Sequence, residues 1–179
     1  MRVNWKQTFL VAAYLTSVVA ANLLITKWGP GATLITAFLF IGLDLTSRDA
    51  LHEAWQHKRL AVKMTALILT GSLLSYALNR EAALIALASF IAFAAAGLTD
   101  ALCYHVLREK LWLIKVNGSN VFSALVDSLL FPTLAFAAFM PEIVAGQFLA
   151  KVAGGFVWSM ALAGVLSSKK NITSMDGGD

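Results

Sequence analysis

The chain has 179 residues, 59% hydrophobic and only 13% charged, with a formal net charge of +4 and a mean hydropathy of +0.73. Soluble domains carry about 25% charged residues, so this composition points to an integral membrane protein and leaves almost no length for a separate soluble domain. The positive balance does not argue for nucleic acid, because the basic residues fall in short segments between apolar runs, where topology requires them. One cysteine, Cys103, excludes an internal disulfide framework and a cysteine-rich metal site; it reads as a small buried apolar residue.

A spanning helix needs about 20 mainly apolar residues, and six runs approach that length: 8–26, 32–47, 60–78, 82–107, 120–140 and 143–167. Arg2 and Lys6 before the first run, with Val19-Ala20-Ala21 inside it, have the outline of a signal peptide. The run is long enough to span and more runs follow, so it reads as an uncleaved first helix. The second run is short, and can continue as helix through Arg48–Trp55. Together they predict an all-α fold, a polytopic bundle of six transmembrane helices over 1–168. The polar stretch 169–179 reads as a disordered tail, and its Asn171-Ile172-Thr173 sequon as chance.

Lys and Arg set the orientation. Arg2, Lys6, Arg48, Lys58, Arg59, Lys63, Arg108, Lys110, Lys115, Lys169 and Lys170 fall on one side, against Lys27 and Arg80 on the other. Both termini are expected to face the cytoplasm. The outer links are short, with Gly29-Pro30-Gly31, Asn79–Glu81 and Pro141–Glu142, which makes sequential helices antiparallel neighbours. The longer inner segments 49–59 and 108–118 carry Trp55 and Trp112 among basic residues and suit the interface. Three spans plus three permit an inverted repeat; Asp44 and Asp127 fall in the second helix of each half, though the halves otherwise align poorly.

Polar groups inside the apolar runs are the informative feature, since each ionised one costs roughly 2.5–3.5 kcal/mol on insertion scales. Asp44 and Arg48, four apart, share a helical face. They read either as a self-neutralising interfacial pair with Arg48 snorkelling, or as a carboxylate held ionised and aimed at a substrate. Asn120, Ser123 and Asp127 form one stripe at i, i+3 and i+7, with Phe122, Leu125 and Leu129 opposite. Ser and Asn alone suit helix–helix contacts, but a carboxylate about two turns into the membrane points to function. Lys151 lies roughly 12 Å along its helix, too deep for easy snorkelling, and shares a face with Gln147 and with Gly155 or Trp158. Its bland reading is an ion pair to Asp127 or Asp100. Gly154-Gly155 lets a backbone or a flat ligand approach closely. Asp100 and His105 suit a cap or an interface, Asn22 a helix–helix hydrogen bond, and His52 and His57 a solvated surface. Neither metal-ligand spacing nor a phosphate-cradling loop nor a catalytic signature occurs, so no cofactor and no enzymatic activity are expected.

The order Asn22, then Phe38-x-Phe40-x-x-x-Asp44-Leu45-Thr46-x-Arg48, then Ser89-Phe90 leading to Asp100, then Ser119-Asn120-x-x-Ser123-x-x-x-Asp127-Ser128, then Lys151 resembles the queuosine precursor transporter family, also called the VUT or putative vitamin uptake transporter family. The resemblance runs through nearly the whole chain. It departs from the family in its shorter length, tighter outer loops and the polar Asp49-Ala50-Leu51-His52-Glu53 after Arg48. It implies import of 7-cyano- or 7-aminomethyl-7-deazaguanine, or a related purine-like base, through a bacterial inner membrane. Substrate contacts are then expected from Asp127, Asp44, Arg48, Lys151, Asn120, Ser123, Asn22, Asp100 and Trp158. Such a base offers an N–H beside an amino group, which one carboxylate can accept together; Asp127 is the first choice and Asp44, oriented by Arg48, the second. The ring carbonyl wants a donor such as Lys151, Asn120 or Asn22, and the ring faces want Phe122, Phe156, Trp158 or Tyr104. Proton coupling through Asp44 or Asp127 is a further expectation. The expected partners are this small molecule and the lipid bilayer, with homo-oligomerisation left open. The competing reading is a substrate-binding membrane subunit energised by a separate ATPase.

Overall fold

The computed structural model describes residues 5–55, 59–106 and 112–167, without the side chains of His52, Glu53, Tyr104, 112–117 and 163–167. The tail 169–179, His57, the 107–111 part of the second basic segment and the side chain of Tyr104 therefore lie outside the described residues. Apart from Arg59 and the short links at Asn79 and 137–140, the described residues are helical. We number the helices α1 (Trp5–Trp28), α2 (33–55), α3 (Leu60–Leu78), α4 (Ala83–Val106), α5 (Trp112–Phe136) and α6 (Pro141–Ser167). α2 is composite: a turn Thr33–Thr36, a π-helical turn Ala37–Ile41 and a longer helix Gly42–Trp55.

Helix is what these residues must form if lipid surrounds them, because only intra-segment hydrogen bonds then satisfy the backbone. Many hydroxyls follow the same rule, though Ser47, Ser72 and Ser128 do not among the described residues. Ser17, Thr26, Thr36, Thr46, Thr70, Ser75, Thr99, Ser123, Thr133 and Ser159 each donate to a carbonyl three or four residues back, so hydroxyls facing lipid or core need no water. Leu73, Leu78, Leu84, Phe156 and Met160 are more than 60% exposed, an outer surface suited to hydrocarbon.

Among the described residues, five segments are long and apolar enough to cross a membrane: Trp5–Leu51, Leu60–Leu78, Arg80–Cys103, Gly118–Phe136 and Pro141–Leu162. The first has 47 residues, about 70 Å if straight at ~1.5 Å per residue, more than twice a hydrocarbon core of about 30 Å. It is not straight. Gly29 takes φ +67°, Pro30 sits in the short 3-10 turn Gly29–Ala32, and α1 and α2 pack on each other. The tight link at Asn79 is capped by its own side chain, which accepts from the Glu81 N–H at 2.9 Å. The last link lies at 137–140, with Ala137 at φ 51°, and Pro141 begins α6 rather than ending the link. The basic segment 49–59 is helical to Trp55, and 112–118 belongs to α5. Cys103 is half-buried, less enclosed than its composition suggests.

The helices form a closed ring. α1 packs on α2, α2 on α6, α6 on α5, α5 on α4, α4 on α3, and α3 on α1. One apolar cluster joins Tyr14, Val18, Ile41, Leu67 and Phe93 across α1–α4; a second joins Ile25, Ile85, Ala92 and Phe131. The α2–α6 seam is backbone on backbone. A Cβ on Gly42 would stand 2.5 Å from the Gly154 carbonyl carbon, and one on Gly154 would fall onto the Phe38 carbonyl oxygen in the π turn. Thr46 Oγ1 adds a 3.3 Å hydrogen bond to the Gly155 carbonyl. Gly155 itself has nothing within 4 Å of such a Cβ. Two neighbouring glycines therefore predict opposite outcomes. Gly154→Ala should cost at least about 1–3 kcal/mol by overpacking, whereas Gly155→Ala should be neutral or gain up to ~1 kcal/mol of helix propensity. Thermal unfolding of the purified variants in detergent reads the difference.

Candidate functional site

The glycine seam draws α6 against α2 one turn beyond Lys151, so this lysine faces the ring's interior. There a cavity of about 20 Å³ is lined by Asn22 and Ile25 of α1, Thr33, Thr36 and Ile41 of α2, Ser89 and Phe93 of α4, Asp127 and Phe131 of α5, and Gln147 and Lys151 of α6. That volume holds about one water. α3 supports the lining from behind: Asn22 Nδ2 donates to Ser75 Oγ at 3.0 Å, and Ser75 Oγ donates to the Gly71 carbonyl at 2.8 Å. Asn22 thus makes the helix–helix bond its sequence suggests while also lining the cavity.

Lys151 organises the polar side. Its Nζ lies 2.8 Å from Asp127 Oδ2 and donates to Gln147 Oε1 at 3.1 Å. All three side chains are buried. The ion pair is the one expected to Asp127, not to Asp100. It does not use up the site's capacity, because Asp127 Oδ1 and Gln147 Nε2 are buried without a partner among the described residues. A buried polar group left unpaired costs about 1–3 kcal/mol, so such a pair of atoms in one cavity implies a guest, either water or ligand. Phe93 and Phe131 supply flat apolar walls.

A second polar cluster lies toward the basic end of the bundle. Asp44, Ser47 and Arg48 of α2 are buried. Asp44 Oδ1, Ser47 Oγ, and Nε and Nη2 of Arg48 lack a partner among the described residues, so the four-residue spacing does not give a hydrogen-bonded pair. Arg48 instead sits among the charges of Asp49, Asp44 and Asp100 and the phenol of Tyr14. Asp44 feels the charges of Arg48, Asp127, Asp49 and Lys151. Asn120 of α5 faces this end, donating to Asp49 Oδ2 at 3.2 Å. Asp44, Arg48, Asp127 and Lys151 are the buried Asp, Glu, Lys and Arg side chains among the described residues, two acids and two bases.

The expected contact residues therefore divide. Asn22, Asp127 and Lys151 line the cavity; Asp44, Arg48, Asp100 and Asn120 belong to the basic-end cluster. Ser123 is buried, but its hydroxyl donates to the Asn120 carbonyl at 3.2 Å, and it does not line the cavity. Trp158 is half-buried and also outside the lining, on the face of Lys151 but two turns beyond it. Phe122 and Phe156, offered as stacking partners, are 53% and 66% exposed and point outward. Phe122 lies opposite the Asn120–Asp127 stripe, and Phe156 is about 140° round α6 from Lys151, at ~100° per residue. The aromatic walls are Phe93 and Phe131 instead. Phe131 follows Asp127 by four, the spacing that could have identified it; Gln147 precedes Lys151 by four in the same way. Thr33 and Thr36 carried no distinguishing signal, and Ser89 stood out only within the Ser89-Phe90 of the family resemblance.

Comparison with curated proteins and with solved structures gives no match. The family model described as putative vitamin uptake transporter matches residues 8–165, nearly the entire chain and both polar clusters. With the apolar helices, this makes the protein a multi-pass membrane protein of transporter type. The chain belongs to the putative vitamin uptake transporter family.

Proposed function

We propose that the protein imports a queuosine precursor, 7-cyano- or 7-aminomethyl-7-deazaguanine, or a related purine-like base, across a bacterial inner membrane. In this reading the segment Trp5–Leu51 crosses twice, six helices span, and both termini face the cytoplasm. The excess of Lys and Arg at one end supports that orientation. The observation that carries the substrate class is Asp127 Oδ1, a buried acceptor without a partner among the described residues, in a cavity that also offers amide and hydroxyl groups and two aromatic walls. The carboxylate accepts the ring N–H and the amino group, Lys151 balances its charge, and Phe93 and Phe131 flank the ring.

A cavity of about 20 Å³ is far below the roughly 300–1,000 Å³ of ligand pockets, so admission requires the ring of helices to open. That suits alternating access around a central site. The basic-end cluster is then the layer that parts toward the cytoplasm, and the short opposite links the layer that parts outward. Proton coupling through Asp44 or Asp127 belongs to the proposal, motivated by buried acids beside cations. Uptake indifferent to a protonophore and to Asp44→Asn and Asp127→Asn would remove it.

The test is uptake of 7-cyano-7-deazaguanine, read as queuosine in tRNA, in cells lacking precursor synthesis and their own importer. The chain should restore queuosine, and Asp127→Asn at matched membrane expression should reduce it at least about tenfold, the effect of weakening a charge-assisted contact by ~1.4 kcal/mol. No restoration by the chain present in the membrane counts against the substrate class. Restoration that requires a co-purifying ATPase would favour the subunit reading.

A further inference from the structure

We infer that Gln147, locked in orientation by Lys151, reads a ring carbonyl of the substrate, so that the site selects lactam heterocycles over otherwise matching rings that lack a strong acceptor there. The inference rests on the reading of the cavity as a base-binding site and adds a specificity residue to it.

An isolated glutamine amide can flip, exchanging its donor and acceptor. Gln147 cannot do so freely. Its Oε1 receives the Lys151 ammonium at 3.1 Å, and an ammonium has donors only; the flipped amide would set N–H groups against it. Asp127 secures the ammonium from the other side at 2.8 Å. The consequence is directional. Gln147 Nε2 must lie away from Lys151, and it is buried with no partner among the described residues, in the cavity lining that also holds Asp127. Asp127 Oδ1 is likewise free. The two free atoms are not bonded to each other, and both side chains bond the same ammonium.

The cavity therefore presents one acceptor and one donor from neighbouring side chains. The complementary guest carries a ring N–H beside a ring carbonyl, which is a lactam edge: N–H to Asp127, C=O to Gln147. A ring with an amino group in the carbonyl's place would set donor against donor. A ring with sulfur there keeps the N–H but offers only a weak acceptor. Lys151 acts in this scheme as a positioning residue for the amide, apart from its charge.

The experiment is competition against labelled 7-cyano-7-deazaguanine uptake by 7-deazaguanine and 6-thio-7-deazaguanine, which share the ring N–H and amino group. Wild type should favour the oxo compound about tenfold, the effect of leaving one buried donor poorly satisfied. Gln147→Leu should bring the ratio to within about twofold of one, because neither compound then meets a donor. The isosteric Gln147→Glu, which lacks the donor, should do the same. Where a variant binds without transporting, the ligand-induced rise in unfolding temperature of the purified protein reads the same ratio. An oxo/thio ratio near one in wild type, or a tenfold ratio retained in either Gln147 variant, overturns the inference and leaves the base-transport reading intact. Wild type that neither transports nor binds any of the three compounds overturns the base reading itself.

Discussion

Replacing Lys151 with methionine is expected to abolish uptake and to lower stability by about 3–5 kcal/mol, the usual cost of stranding one member of a buried ion pair. Adding Asp127→Leu is expected to restore most of that stability and none of the uptake. The arithmetic follows from burial. The two side chains are 2% and 6% exposed and 2.8 Å apart, so bulk water screens neither charge once its partner is gone. Removing both charges together for apolar groups of similar volume is often neutral or stabilising, by about 1–4 kcal/mol. A pair kept only for stability would thus be dispensable as a pair. A pair kept for a ligand would not, because Lys151 also holds the Gln147 amide and Asp127 supplies the free carboxylate oxygen. Thermal unfolding in detergent and whole-cell uptake, measured on the two single variants and the double, separate the two roles. A stable double variant that still transports would reduce the pair to scaffolding.

The physical reasons why the sequence announces some of this site and hides the rest can be seen residue by residue. Asp127 and Lys151 stand out because hydrocarbon penalises them, whatever the fold. Asn22 stands out for the same reason at smaller magnitude. Their pairing was one of two options, since a helix face names neighbours along its own axis but not which helix lies across from it. Gln147 shares the face of Lys151 and was visible as such, yet an uncharged amide in a helix reads as a packing contact until its donor is seen without a partner. Thr33 and Thr36 resemble hydroxyls such as those of Thr70 and Thr133, which simply bond their own helix. Thr36 bonds its own helix too, and only the closed ring puts it at the cavity. The π turn at Ala37–Ile41 left no trace in composition. The Gly154-Gly155 pair marks a place of close approach, but what approaches Gly154, the Phe38 carbonyl, depends on that turn. Phe122 and Phe156 show the converse: the hydrophobic effect does not sort aromatic side chains inward when the solvent is lipid, so an aromatic residue is informative only when its helical phase matches a polar stripe.

Arg48→Leu is the second change expected to have a large effect, and it discriminates between two physical pictures of the basic end. If Arg48 snorkelled to an interface beside Asp44, the pair would behave like an exposed salt bridge, worth about 0–1 kcal/mol, and the variant would be almost silent. Arg48 is instead 6% exposed, with Nε and Nη2 unpartnered among the described residues and with Asp44, Asp49 and Asp100 as its charged surroundings. It serves as a shared cation for three carboxylates rather than as half of a pair. Its removal leaves Asp44 buried beside Asp127 and Asp49, with Lys151 as the remaining nearby cation. The expected loss is about 3 kcal/mol, the lower end for a broken buried pair, since Asp49 is exposed and Asp100 half-buried and both can be relieved by water. Arg48→Lys should recover only part of it, because a point charge on a flexible stem cannot spread its donors over three acids as a planar guanidinium does. Asp44→Asn in the Arg48→Leu background should recover more than Arg48→Lys does, by removing the acid with the least access to water. Uptake should fall in Arg48→Leu even where folded protein remains, since Asp44 also feels the Asp127–Lys151 pair and a change at the basic end reaches the cavity through it. Unfolding midpoints for the three variants, with uptake per folded molecule, test the order. An Arg48→Leu protein as stable as wild type would mean that the buried guanidinium reaches water by a route the packed bundle does not contain.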